Sequence, residues 1–111
     1  MDYHAHIYFT LETRTTARTL RNSLESSFGP DVWVGPLIPR PLGPHLFPMF
    51  ELNFHARDLD KIIKFLETNR GNHSVLIHES TGNDPKDHDT GAFWMGPRLE
   101  LDHSKLDPAP L

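Results

Sequence analysis

The sequence predicts an α+β fold: a ferredoxin-like βαββαβ sandwich, with two helices on one face of an antiparallel sheet. Two observations lead there. Apolar residues alternate with a period of two in several short segments and recur every three to four residues in two longer ones. The segments follow one another as strand, helix, strand, strand, helix, strand. A chain of 111 residues holds enough apolar surface for one compact core and not for two.

The first strand is Tyr3-His4-Ala5-His6-Ile7-Tyr8-Phe9, rich in aromatic and β-branched residues. Ala5, Ile7 and Phe9 share one face; His4, His6 and Tyr8 share the other. A helix over 13–28 follows, with Thr13 at its start, Ala17, Leu20, Leu24 and Phe28 along one stripe, and Gly29-Pro30 at its end. Asp31 to Val34 reads as a short second strand. The loop after it holds Pro36, Pro39, Pro41, Gly43 and Pro44, which exclude regular structure, and delivers His45.

The third strand spans Phe47 to His55, with Phe50, Leu52 and Phe54 on one face and Met49, Glu51, Asn53 and His55 on the other. Asp58 starts a second helix in which Leu59, Ile62, Ile63 and Leu66 form the apolar stripe, ending at Gly71. Ser74 to His78 is the fourth strand, with Leu76 and His78 opposite Val75 and Ile77. A polar, turn-rich stretch runs from Glu79 to Gly91, and Ala92-Phe93-Trp94-Met95 adds a short fifth strand. The domain is expected over 1–97, with 98–111 a loosely held tail.

If the Phe50, Ile7 and Val75 faces meet the helices, the sheet's open face gathers His4, His6, Tyr8, Glu51 and His78. An H-x-H on a strand puts two imidazoles on one side with Cα atoms roughly 7 Å apart, close enough for both to reach one ion. His6 and His78, with His4 or Glu51, are thus candidate metal ligands, for iron, zinc or a similar divalent ion. His45 and His88 are candidate acid–base residues, His88 with an acidic neighbour able to orient its ring. Tyr8 or Arg70 could orient a substrate carboxylate, although Arg70 at a helix end also suits the helix dipole. His55, His73 and His103 read as surface residues.

Composition narrows the chemistry. There is no cysteine, so thiolate nucleophiles, disulfides, cysteine zinc sites and iron–sulfur clusters are excluded. A formal net charge of -4 argues against a nucleic-acid partner. No apolar run approaches the length of a membrane span, and the first residues lack the order of a signal peptide, so a cytoplasmic protein is expected. Motifs for phosphate loops, dinucleotide folds, serine hydrolases and H-E-x-x-H metalloproteases are absent.

Tyr3-His4-Ala5-His6-Ile7-Tyr8-Phe9, Gly43-Pro44-His45, Asn69-Arg70-Gly71, Val75-Leu76-Ile77-His78, Thr81-Gly82, Asp87-His88 and Phe93-Trp94-Met95-Gly96 together resemble the small DOPA 4,5-dioxygenase family, over about residues 3–97. The resemblance implies extradiol ring cleavage of a catechol such as DOPA or a related catecholic acid, with non-haem Fe(II) and O₂, in a fold that often dimerises. Matched by position, His4, His6, His45, His78 and His88 are the family's recurrent histidines. The chain departs from the pattern with Glu79 in place of proline and Gly91 in place of a further histidine. Residues alone leave two other readings open: a non-catalytic metal- or small-ligand-binding module, and a metal-dependent hydrolase.

Overall fold

The structure is a computed structural model that describes residues 1–107. Its elements follow the expected order: β1 (Tyr3–Tyr8), α1 (Arg14–Phe28), β2 (Trp33–Val34), β3 (Met49–Phe54), α2 (Leu59–Asn69) and β4 (Val75–Glu79). One helical turn, α3 (Asp84–Asp87), and a fifth strand, β5 (Ala92–Met95), follow, with short 3₁₀ turns at Gly29–Asp31, Ala56–Asp58 and His103–Lys105. The strands lie in the order β2-β3-β1-β4-β5, and every neighbouring pair is antiparallel. This is the ferredoxin-like sheet with one strand added beside β4. Among the described residues no helix is long and apolar enough to cross a membrane.

Both helices pack on the same face. Ala17, Leu20 and Leu24 of α1 and Ile62 and Leu66 of α2 bury against Ala5, Ile7, Phe50, Leu52, Phe54, Val75 and Ile77, the residues that alternation assigns to the covered face. Gly71 ends α2 with φ 58°, a left-handed conformation that costs glycine little, so the chain can turn straight into β4. Phe54 is fully buried. Truncating it should leave a cavity that the rigid sheet cannot close, and Phe54→Ala is expected to lower unfolding free energy by about 3–5 kcal/mol in urea melts.

The helix starts differ from expectation in their chemistry. Neither Thr13 nor Asp58 caps through its side chain. Thr13 Oγ1 instead accepts from the Thr10 amide at 2.9 Å, holding the bend between β1 and α1, and a 3₁₀ turn, Ala56–Asp58, leads into α2.

The second face is not open. Tyr8, Met49 and Leu76 form a smaller apolar cluster, with Trp94, Leu99 and Leu101 packed on it. The segment expected to be a loose tail therefore lies across the sheet. Leu101 pairs with His45 in a β-bridge, the Asp102 amide donates to the Pro44 carbonyl at 2.8 Å, and the Asp107 amide donates to Asp84 at 3.1 Å. Leu99 and Leu101 add apolar contact to these bonds, covering surface that would otherwise meet water. Tyr8, which periodicity places on the open face, is buried under this segment. Positions 108–111 of the expected tail lie outside the described residues.

Candidate metal centre and active site

β1 is the central strand, so its alternate residues His4, His6 and Tyr8 project onto the second face between contributions from β3 and β4. The register sets His78 directly across from His4, and Glu51 across from His6. On the diagonal, the His6 and His78 Nε2 atoms come within 2.9 Å of each other. Both side chains are buried.

Loops bring two more histidines. Leu42 and His45 exchange backbone hydrogen bonds of 3.1 and 3.0 Å around Gly43-Pro44, a tight turn that Gly43 permits with φ 57°. This turn sets the His45 ring 4.0 Å from that of His6, centroid to centroid. His88 follows α3, whose loop is fastened by buried Asp87: its carboxylate accepts from the Thr81 amide at 2.8 Å and the Thr81 hydroxyl at 2.6 Å. The His88 ring lies 4.2 Å from His78. Ligand atoms of His4, His6 and His78 fall within 4.8 Å of one another, as do those of His6, His45 and His88. Five histidines thus make one cluster, with His6 common to both triads.

Neighbours decide which nitrogens hold protons. A carbonyl oxygen only accepts, so His78 Nδ1–H donates to the Glu79 carbonyl at 2.7 Å and His88 Nδ1–H to that of Asp84 at 3.0 Å. That leaves Nε2 of each ring as the nitrogen free to face the cluster. Since His78 Nε2 accepts, His6 donates its Nε2–H across the 2.9 Å contact, which leaves His6 Nδ1 buried and without a partner. Glu51 Oε1 lies 3.6 Å from that orphan nitrogen and 3.9 Å from His4 Nδ1. Tyr8 has no hydroxyl partner among the described residues except His45 Nδ1, at 2.8 Å.

Burial and mutual crowding keep these rings neutral. Burial, then the nearby His45, His78 and His88, hold His6 well below the ordinary histidine range. Burial, then His88 and His78, lower His45 to about 4. His78 is lowered to about 4, chiefly by burial and against the opposing Glu79 carbonyl. Burial pushes the Glu51 carboxyl up, opposed by a hydrogen bond from Asn53, and pushes the Tyr8 phenol up as well. At neutral pH His6, His45 and His78 offer unprotonated nitrogens rather than charge.

A divalent ion fits this chemistry. Two imidazole nitrogens about 2.1 Å from one ion, at right angles, stand about 3.0 Å apart, close to the separation of the two Nε2 atoms. His78 and His88 already carry the Nδ1-to-carbonyl bonds that orient metal-ligating histidines.

Not every expected site residue joins the cluster. Glu51 faces Nδ1 of His6, on the far side of the ring from the paired Nε2 atoms, so it stands behind the pair. Arg70 is elsewhere: its guanidinium donates to the Gly71 and His73 carbonyls, each at 3.2 Å, and packs so closely under Gly96 that a Cβ there would come within 2.6 Å of Nη1. It lines a groove between the ends of α1 and α2 that none of the five histidines lines. The acceptor that orients His88 is the Asp84 carbonyl, since Asp87 turns inward to Thr81. His73, expected on the surface, is buried with bonds to the Thr16 hydroxyl at 2.8 Å and the Tyr8 carbonyl at 3.0 Å. Trp94 and Leu101, not among the expected site residues, form its wall; Trp94 lies in the matched motif Phe93-Trp94-Met95-Gly96, while Leu101 signals only by apolar character.

The fold and the cluster define a small ferredoxin-like protein whose second sheet face carries a histidine site able to hold a metal ion. The chain belongs to the Dopa 4,5-dioxygenase family, whose model matches residues 3–105. It is 33% identical over 113 residues to an uncharacterised 21.2 kDa protein of Botryotinia fuckeliana, covering 92% of this chain and 61% of that one. It is 27% identical over 112 residues to the DOPA 4,5-dioxygenase of Amanita muscaria, covering 95% of this chain and 49% of that enzyme. The chain thus spans about half to three-fifths of these curated relatives. A crystal structure from Nostoc punctiforme, described as a "putative dioxygenase", superposes with a TM-score of 0.86 at 33% identity, over 91% of this chain and 86% of the other.

Proposed function

We propose that the protein is a ring-opening dioxygenase of the extradiol type, acting on a catechol with O₂ and Fe(II). The observation that supports this best is the buried pair of Nε2 atoms of His6 and His78, 2.9 Å apart, with His78 and the flanking His88 each holding the Nδ1 proton on a backbone carbonyl on the outer side. His6, His78 and His4 would hold the ion, and three protein nitrogens would leave positions for substrate and O₂. Bound there, Fe(II) would lower the pKa of the catechol hydroxyls and hold the two reactants side by side.

The chain's own residues manage protons and water. His88 Nε2, the nitrogen turned away from the Asp84 carbonyl that Nδ1–H bonds, takes the proton of the second hydroxyl. The Tyr8 phenol stays protonated and donates to His45 Nδ1, so His45 presents Nε2–H toward the site and can give a proton to a developing oxygen anion while Tyr8 restores it. Leu101 and Trp94 exclude solvent. The balance needs no outside reductant: O₂ accepts four electrons from the catechol, the ring C–C bond beside the diol breaks, and the oxygen atoms end as a carboxylate and an aldehyde. Reconstitution with Fe(II) under anaerobic conditions, followed by protocatechuate, caffeate or DOPA and O₂, should give a yellow semialdehyde with equimolar oxygen uptake. Verified iron binding without turnover on any of them would overturn the reading.

Glu51 has a defined part in it. Binding an ion at His6 Nε2 displaces the proton found there, and Nδ1 must then carry it. Glu51 Oε1 is the acceptor within reach, and Asn53, with its amide turned to suit both neighbours, donates to Oε2 at 3.1 Å and steadies the carboxylate. Glu51→Ala should weaken metal binding about ten-fold in an anaerobic titration, and Glu51→Gln, whose amide oxygen still accepts, by less. Equal affinity in Glu51→Ala and the parent would refute this role.

A further inference from the structure

Beside the histidine cluster lies a cavity of about 380 Å³, bounded by His88, Trp94, Arg98, Glu100, Leu101 and His103. Its size is that of a small-ligand pocket, and His88 is its link to the cluster. One wall is aromatic: Trp94 is partly buried and stacks on Tyr8 at 5.7 Å between centroids with 26° between planes, so its orientation is set from behind. Arg98, on the rim, has no ion-pair partner among the described residues; the six close acid–base pairs there all lie elsewhere. Its backbone is carried by the segment that crosses the sheet, anchored at Ser74 by a 2.6 Å bond to the Pro97 carbonyl and at His45 by the Leu101 bridge.

We infer that Arg98 is a specificity-determining residue that pairs with a carboxylate on the aromatic substrate, whose ring lies against Trp94 with its hydroxyls toward His88. The inference rests on the catechol reading for the nature of the ring. Guanidinium matches a carboxylate with two parallel N–H donors, a geometry lysine cannot reproduce. Glu100, two residues along, gives the rim its opposite charge and disfavours any pose that brings the carboxylate to its side. The role assigned to Arg70 on sequence grounds falls instead to an arginine that shares a cavity with a cluster histidine.

Binding is read in the metal-free protein, so the outcome does not depend on ring cleavage. Trp33, half-exposed on the sheet's far edge strand, is changed to phenylalanine so that Trp94 alone reports. Protocatechuate, which carries a carboxylate, and catechol, which does not, are titrated by fluorescence quenching into this protein and into its Arg98→Gln and Glu100→Gln variants. Protocatechuate should bind about ten-fold more weakly to Arg98→Gln, as loss of one charge-assisted pair predicts, with catechol unchanged. Glu100→Gln should tighten protocatechuate alone. Equal losses for both ligands in Arg98→Gln, or no loss for either, would overturn the inference. Quenching with that pattern but no turnover in the iron-loaded enzyme would leave the carboxylate site standing and remove the ring-opening reading.

Discussion

Replacing His6 by alanine is expected to abolish metal binding, lowering affinity by well over a hundred-fold, and to abolish turnover with it. His6 belongs to both histidine triads, so its loss breaks each of them, whereas loss of His4 or His88 breaks only one. The effect should be one of ligation rather than folding, because the variant removes a ring whose Nδ1 already has no partner and lies on the face opposite the main core. Unfolding in urea should therefore shift by about 1–2 kcal/mol at most. His73→Ala makes the contrast: it removes two buried hydrogen bonds, should cost comparable stability, and should leave metal affinity unchanged. Anaerobic titration with Co(II) or Fe(II), with circular dichroism as the folding control, separates the two. Parent-like affinity in His6→Ala would remove the cluster as the metal site.

The second large effect is a loss of stability in acid. His45 and His78 titrate near 4 in the folded protein and near 6.5 when unfolded, and His6 and His4 are lowered in the same sense. Between those values the unfolded chain binds more protons than the folded one, so stability rises with pH through this window. It is fully present above about 6.5 and is lost as pH falls toward 4. A pKa difference of this size corresponds to about 3 kcal/mol for each of His45 and His78, and because the rings repel one another when charged the losses are not independent. Glu51, raised by burial, works in the opposite sense, regaining a little stability as it is protonated. Urea melts in a chelator should show the metal-free protein losing several kcal/mol between pH 7 and pH 4.5, a large share of what a small domain has. A saturating divalent ion should oppose the loss, since it binds only the neutral rings. A flat profile between pH 7 and pH 5 would contradict the burial of neutral histidines.

Much of this site is legible in the sequence because a strand has only two faces. Once Ala5 and Ile7 go to the core, His4, His6 and Tyr8 must go to the other side, and the same rule places Glu51 and His78. Topology then brings the three strands together without any further information. His45 and His88 are different. Their positions depend on a two-residue turn at Gly43-Pro44 and on Asp87 reaching back to Thr81, contacts that no local periodicity records. The sequence marks them only as histidines beside a rigid turn and an acidic neighbour, and the resemblance adds their match to the family's histidines.

Other positions depend on contacts of the same kind. Arg70 stands in a matched motif at a helix end, and its direction is set by Gly96, 26 positions later, and by carbonyls of its own turn. Leu99 and Leu101 look like isolated apolar residues in a polar, proline-containing stretch; what holds them is the aromatic surface of Tyr8 and Trp94, which periodicity had left facing water. His73 reads as surface in a polar turn, and is buried because Thr16 and the Tyr8 carbonyl satisfy both of its nitrogens. In each case the missing information was tertiary.

The central claim, that the histidine face opens an aromatic ring with O₂, is tested most directly by isotope. The iron-loaded protein is given protocatechuate under ¹⁸O₂ and the reaction is quenched promptly into borohydride, which fixes the aldehyde before its oxygen exchanges with water. The account predicts a ring-opened product carrying two labelled oxygens, one in the new carboxylate and one in the alcohol derived from the aldehyde. Substrate recovered with its ring intact, or a product labelled at one oxygen or none, would contradict it.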